Sequence, residues 1–139
     1  MRKVILDASV ALKCFPVGGE ESVTEARELW SVIQRREVRA FAPMFMLVEV
    51  VNILARKKKV KPGVLRQILG RLRDSEIVFV GFEKSDLTGL VGVVLKYGLT
   101  AYDAQYLLSA KHLGCKLVTC DEEMLKIKSL TVGVGEWMR

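Results

Sequence analysis

Short, unbroken apolar runs alternate along this chain with longer stretches in which apolar residues return every three or four positions. The first pattern marks strands buried on both faces of a parallel sheet, the second amphipathic helices. Lys3–Leu6 predicts a first strand and Ser9–Phe15 a short helix ended by Pro16, with Gly18-Gly19 as a loop. Ser22-Val23-Thr24-Glu25 reads as a capping box, opening a helix with Val23, Ala26, Trp30 and Ile33 on one face. Arg39–Ala42 predicts a second strand, stopped by Pro43. From Met44 to Lys58 the pattern predicts a helix with apolar residues on nearly every side, hence deep packing.

Lys61-Pro62-Gly63 opens another helix, with Val64, Leu65, Ile68, Leu69 and Leu72 at helical spacing. Glu76–Val80 predicts a third strand. Ser85 caps a helix through Tyr97, closed by Gly98. The next helix begins at Thr100-Ala101-Tyr102-Asp103 and ends at Gly114. Lys116–Cys120 predicts a fourth strand, Glu122–Ile127 a short helix and Leu130–Val134 a weak fifth strand. This succession implies one α/β domain, with right-handed crossovers and helices on both faces of a parallel sheet. A length of 139 residues suits a single domain, and no internal repeat or linker divides it.

A net charge of +6 leaves a basic surface, which serves solubility or a polyanionic partner, and charge alone slightly favours the former. Cys14, Cys115 and Cys120 are odd in number and lack a CxxC spacing. That argues against a disulfide scaffold or zinc site and fits a reducing cytoplasm. Met1-Arg2-Lys3 before an apolar run is only superficially like a signal peptide, because Asp7 interrupts it and no cleavage pattern follows. No uncharged apolar run approaches the ~18 residues that span a membrane. A soluble, cytoplasmic protein without a membrane partner is the expectation.

Two of the apolar runs, Val4-Ile5-Leu6-Asp7 and Leu117-Val118-Thr119-Cys120-Asp121, stop at an aspartate. Ligands of open α/β sheets bind beyond the carboxyl ends of the strands, where both acids would lie. Glu49 and Asp103 add two carboxylates inside otherwise apolar helical segments. Each has an ordinary alternative. Asp121 suits an N-cap as well as it suits catalysis, and Asp103 completes a capping box with Thr100. Glu49 shares a helix side with Asn52 and Arg56, which could be a solvated stripe or a cleft edge. Asp7 is harder to explain as a cap, because Ser9 is the better one.

The argument therefore rests on convergence. Two carboxylates about 4 Å apart repel by ~4 kcal/mol at an effective dielectric near 20, so a cluster of four requires cations. Oxygen-only donors suit Mg²⁺ or Mn²⁺. Such a site can activate water and stabilise a leaving oxygen in phosphodiester cleavage. Rival chemistries lack their parts. His112 is the only histidine and lies near a helix end, where it offsets the dipole. Ser9 has no triad, and Gly18-Gly19 and Gly133-Val134-Gly135 lack the lysine of a phosphate loop. Asp7-Ala8-Ser9 lacks the second acid of an aspartyl phosphatase. Arg56-Lys57-Lys58-Lys59-Val60-Lys61 is the densest charge run, either a solvated helix end or an RNA-facing patch. Arg66, Arg71 and Arg73 extend that face only in part, without aromatic residues between them.

The chain resembles the PIN-domain family, of the kind that serves as the VapC toxin of VapBC toxin–antitoxin pairs. The likeness rests on Val4-Ile5-Leu6-Asp7-Ala8-Ser9, Glu49-Val50-Val51-Asn52-Ile53-Leu54, Leu99-Thr100-Ala101-Tyr102-Asp103-Ala104-Gln105-Tyr106-Leu107 and Leu117-Val118-Thr119-Cys120-Asp121, in that order. It implies a three-layer α/β sandwich with a central parallel sheet of four to five strands. It implies a Mg²⁺- or Mn²⁺-dependent endoribonuclease cleaving single-stranded RNA, a homodimer, and a cognate antitoxin that blocks the site. By matching position, Asp7, Glu49, Asp103 and Asp121 are the catalytic quartet, with Asp7, Asp103 and Asp121 on the metal. Ser9 and Thr119 orient the acids, and Asn52 is a polar position near the pocket. Arg56, Lys57, Lys58 and Lys59 are the candidate RNA contacts. Met44 follows Pro43 where the family often carries a small polar cap, and Glu122 and Glu123 stand close enough to Asp121 in sequence to assist or replace it. Leu12, Phe15, Met44, Phe45, Trp137 and Met138 are candidates for an interface, with core as their alternative. A non-catalytic RNA- or protein-binding PIN-like module, or an RNA-processing nuclease without an antitoxin, is the rival reading.

Overall fold

The computed structural model describes residues 1–15 and 23–139. Five strands, β1 (Lys3–Leu6), β2 (Arg39–Pro43), β3 (Val78–Val80), β4 (Leu117–Thr119) and β5 (Thr131–Gly133), form one sheet in the order β3-β2-β1-β4-β5. Every neighbouring pair is parallel. Val4, Ile5 and Leu6 of β1 and Leu117, Val118 and Thr119 of β4 are fully buried, as strands covered on both faces must be. Each large apolar side chain so buried contributes roughly 1.5–3 kcal/mol. The core therefore fixes these strands, and whatever follows them is carried to a fixed point.

The chain builds β2 and β3 on one side of β1, then returns to place β4 and β5 on the other. The order reverses between β1 and β4, the position at which open α/β sheets characteristically form a ligand crevice beyond the carboxyl ends. Leu6 is paired with Val118, so one step further the register brings Asp7 beside Thr119.

Eight α-helices accompany the sheet among the described residues: α1 (Ala8–Cys14), α2 (Val23–Gln34), α3 (Phe45–Asn52), α4 (Pro62–Arg73), α5 (Leu87–Tyr97), α6 (Ala101–Leu113), α7 (Glu122–Leu125) and α8 (Val134–Met138). α6 packs on β1, β2 and β4 with α5 behind it, while α1, α2 and α8 form the other layer. Gly98 and Gly114 close α5 and α6 in the left-handed conformation, where a side chain would be strained. α3 starts directly after β2, touches α1, and sets the Phe45 ring 5.0 Å from that of Tyr106 on α6. It thus spans the mouth of the crevice.

Several expectations are corrected at this level. Pro43 does not stop β2 but is its last residue, paired with Val80. The helix predicted from Met44 to Lys58 is not continuous. After Asn52 it widens into a π-turn, Ile53–Lys57, where the Lys58 amide donates to the Ile53 carbonyl at 2.9 Å. Nor is it packed all round: Met46 and Val50 are buried, whereas Val48 is 71% exposed. A Glu83–Asp86 capping box opens the 3₁₀ turn Lys84–Asp86 before α5, in place of Ser85. β3 begins at Val78 rather than Glu76, and β4 ends at Thr119. The run 130–134 holds only a three-residue strand, and α8 follows it unforeseen. Leu12, Phe15 and Trp137 are core rather than interface. His112 stands 3.9 Å from the Asp86 carboxylate. Pro16, Gly18-Gly19 and the Ser22 cap lie outside the described residues.

Candidate active site

Asp7 is the first residue beyond β1 and caps α1, accepting the Val10 amide at 3.2 Å. Asp7, not Ser9 as expected, is thus the cap of this helix, because the chain turns helical one residue earlier, and the capping carboxylate is buried. The Ser9 hydroxyl donates to the same carboxylate oxygen at 2.5 Å, and the Thr119 hydroxyl donates to the other. Both hydroxyls also work in reverse. Ser9 Oγ accepts the Cys120 amide at 3.0 Å, and Thr119 Oγ1 accepts the Asp121 amide at 3.0 Å. The turn after β1 and the turn after β4 are thereby tied together through one buried carboxylate.

Asp121 caps α7, its Oδ1 accepting the Glu123 and Met124 amides at 2.9 and 3.4 Å. Asp103 lies in the first turn of α6, whose cap Thr100 accepts the Asp103 amide at 3.2 Å. Glu49 projects from α3 toward α6, and Tyr106 donates its hydroxyl to Glu49 Oε1 at 2.9 Å. Asn52 is exposed in the last turn of α3. Glu123 accepts from Lys126 at 3.0 Å, and Glu122 is exposed beside it.

Electrostatics links these acids in sequence. Burial pushes Asp7 up to about 6, against the hydroxyl and amide hydrogen bonds that favour its charge, and Asp121 pushes the same way. Burial also raises Asp103, with Asp121 again adding repulsion. Glu49 is raised by burial, eased by the Tyr106 hydrogen bond, and raised again by Asp103. Tyr106 is held neutral by burial first and then by the charges of Glu49 and Asp7. Asp7, Asp103 and Glu49 each thus feel the charge of another acid of the quartet.

Carboxylates that resist ionisation and repel one another are stabilised by positive charge, and all their donors are oxygen, which fits a hard divalent cation. Among the described residues, no three His, Cys, Asp or Glu side chains stand close enough to hold one ion directly. Mg²⁺ ordinarily keeps several waters and takes only one or two carboxylates, so the quartet suits a hydrated ion rather than a closed cage. Of the basic run, Lys57 is the member whose charge reaches Glu49, lowering its pKa. Arg56, Lys58 and Lys59 are exposed around the end of the π-turn.

Tyr106 is the residue that sequence reasoning passed over. Its signal was its place three residues after Asp103, on the same side of α6.

Comparisons with known proteins bear on the fold and the family. No curated protein matches the chain in sequence. Among solved structures, VapC20 of Mycobacterium tuberculosis, described as a sarcin–ricin-loop-cleaving toxin, superposes with a TM-score of 0.68 at 12% identity. The match covers 89% of this chain and 95% of that one. A Pyrobaculum aerophilum protein, PAE2754, gives 0.65 at 20% identity over 99% and 93% of the two chains. A chain of a Klebsiella pneumoniae toxin–antitoxin complex gives 0.64 at 17% identity over 94% and 97%. At such identities the likeness concerns the fold. The PIN-domain profile, in contrast, matches residues 4–130, from β1 through the approach to β5 and including all four acids. The chain belongs to the PIN-domain family.

Proposed function

We propose that this protein is a divalent-metal-dependent endoribonuclease that cuts single-stranded RNA, acting in the cytoplasm as the toxin of a toxin–antitoxin pair. The observation that carries the reading is the set of mutually repelling acids, Asp7, Glu49, Asp103 and Asp121, at the strand-order reversal. In this reading Asp7, Asp103 and Asp121 hold a hydrated metal ion, at most two of them directly and the rest through its waters. Bound Mg²⁺ or Mn²⁺ would supply an activated water and offset charge on the leaving oxygen. Ser9 and Thr119 keep Asp7 in one orientation by holding both its oxygens. Tyr106 fixes Oε1 of Glu49, leaving the other oxygen to bind metal or orient the attacking water. Asn52 lines the approach, and Arg56, Lys57, Lys58 and Lys59 attract the phosphates.

An antitoxin and a second copy of the chain are the proposed protein partners. The Klebsiella neighbour comes from a toxin–antitoxin complex. Leu87, Val91 and Leu95 form an exposed apolar stripe on α5, of the sort that marks protein contacts. No helix among the described residues is long and apolar enough to cross a membrane.

The test is cleavage of single-stranded RNA by native protein, Asp7→Asn and Asp103→Asn, with Mn²⁺ or Mg²⁺ and with chelator. Cutting is expected from the native protein with metal alone. Undiminished cutting by the variants, or indifference to chelator, ends the proposal. The spacing of the acids favours one rival, a binding module that does not cut. Calorimetry separates the two, since a failure to take up Mn²⁺ at millimolar concentration supports the module.

A further inference from the structure

α1 starts at the Asp7 cap and ends at Phe15, and at that far end a cavity of about 450 Å³ opens between α2 and α4. Its lining includes Cys14, Phe15, Arg27, Trp30, Gln67 and Arg71. Phe15 and Trp30 meet edge to face, their ring centroids 4.8 Å apart. The Arg71 guanidinium lies 4.6 Å above the Phe15 ring and 5.9 Å from that of Trp30.

Three surface arginines are paired with carboxylates. Arg35 is paired with Glu37, Arg36 with Glu76 and Arg73 with Asp74. Arg27 and Arg71 have no carboxylate partner among the described residues. Two guanidiniums without a carboxylate partner among the described residues therefore line one concavity with a half-buried tryptophan on its wall. Guanidiniums fork onto phosphate oxygens, and aromatic or guanidinium planes stack bases without regard to sequence. The volume lies within the roughly 300–1,000 Å³ typical of small-ligand sites.

We propose that this cavity is a nucleotide subsite for single-stranded RNA, in which Arg27 and Arg71 take a phosphate and Trp30 stacks a base. The proposal deepens the nuclease reading and rests on it for the identity of the polymer. Eight residues of helix separate Asp7 from Phe15, about 12 Å at the usual rise. The subsite thus engages the strand a few nucleotides from the carboxylates and sets which segment crosses them. Aromatic and cationic residues scattered in the sequence, on α1, α2 and α4, meet only in the fold.

The test titrates a short oligouridylate into the full chain in chelator, reading tryptophan fluorescence. The chain has two tryptophans, Trp30 and Trp137, and Trp137 is buried beneath Arg2. Quenching is expected in native protein and in Trp137→Phe, and is expected to vanish in Trp30→Phe. The double variant Arg27→Met, Arg71→Met should bind about tenfold more weakly, with a salt slope lower by about one. Absence of quenching in native protein, or double-variant affinity within about twofold of native, overturns the subsite. Where circular dichroism shows the double variant unfolded, the tryptophan variants decide. Cleavage with Mn²⁺ is read separately. Quenching without cleavage removes the nuclease reading and keeps the subsite, and cleavage without quenching does the reverse.

Discussion

The hydroxyl of Tyr106 on α6 donates to Oε1 of Glu49 on α3 across 2.9 Å, joining two helices at the mouth of the crevice. Tyr106 itself is buried, whereas Glu49 is half-buried, so the bond aims an accessible carboxylate from an inaccessible anchor. Tyr106→Phe keeps the ring and its contact with Phe45 and removes only the donor. A hydrogen bond to a charged group is worth about 1.5–3 kcal/mol, less here because water can reach Glu49. RNA cleavage by Tyr106→Phe should fall about tenfold while unfolding free energy drops by about 1 kcal/mol. Unchanged cleavage would show that Glu49 needs no anchor.

Asp7 makes the metal-free protein sensitive to pH in a direction opposite to ordinary acid denaturation. Its pKa in the folded state, about 6, lies above the 3.8 of an unperturbed aspartate, so between these values the native state binds more protons. Stability from this group is complete below the unfolded pKa and is lost as pH rises through the folded one. At 1.36 kcal/mol per unit the loss amounts to about 3 kcal/mol by neutral pH. Glu49 and Asp103, also raised, act with the same sign. Urea unfolding of native protein in chelator should therefore weaken between about pH 4 and 7, and Asp7→Asn should flatten the decline. Millimolar Mn²⁺ should restore stability at neutral pH by binding the native state. A native profile that matches that of Asp7→Asn would contradict the shift.

The two hydroxyls on Asp7 form one unit. Thr119→Val removes a donor to Asp7 and the acceptor of the Asp121 amide, at a fully buried position. Ser9→Ala removes the donor on the other oxygen and the acceptor of the Cys120 amide. Each change leaves a polar group unpaired, at a cost of about 1–3 kcal/mol, with Thr119→Val the greater. Because both act on one carboxylate, the double variant should depart from additivity by more than about 0.5 kcal/mol. Denaturant unfolding of the four proteins measures this, and strict additivity would mean the hydroxyls serve Asp7 independently.

The strands ending in Asp7 and Asp121 were legible in the sequence because burial on both faces demands an apolar run, and an acid after such a run is conspicuous. Gly98 and Gly114 were legible for a related reason, since a glycine closing a helical pattern has few other uses. The break in the helix after Asn52 was not. Leu54 continues the apolar spacing of Met46 and Val50, so the periodicity carries no mark of the widened turn. Overestimating the burial of that helix had the same origin, because hydrophobicity alone cannot separate Val50, in the core, from Val48, outside it. Tyr106 escaped notice because a tyrosine in an apolar helix reads as core. It is core, and its hydroxyl alone reaches the site.

The exposed stripe on α5 is apolar along its whole length. Leu87, Val91 and Leu95 recur every fourth residue and are 52%, 54% and 77% exposed, so one whole face of α5 is apolar and open. Its opposite face carries Val93, buried against the core. An amphipathic helix needs one apolar face to fold here, and the second face needs a different explanation. A second copy of the chain supplies one, since a two-fold axis would set the stripe against itself. Replacing Val91 and Leu95 together by Glu should convert a dimer to a monomer in sedimentation velocity, with the thermal midpoint of the isolated fold nearly unchanged because neither side chain is in the core. A native protein that sediments as a monomer at about 100 μM, near one-tenth of the millimolar affinity scale, would exclude self-association as the use of this face.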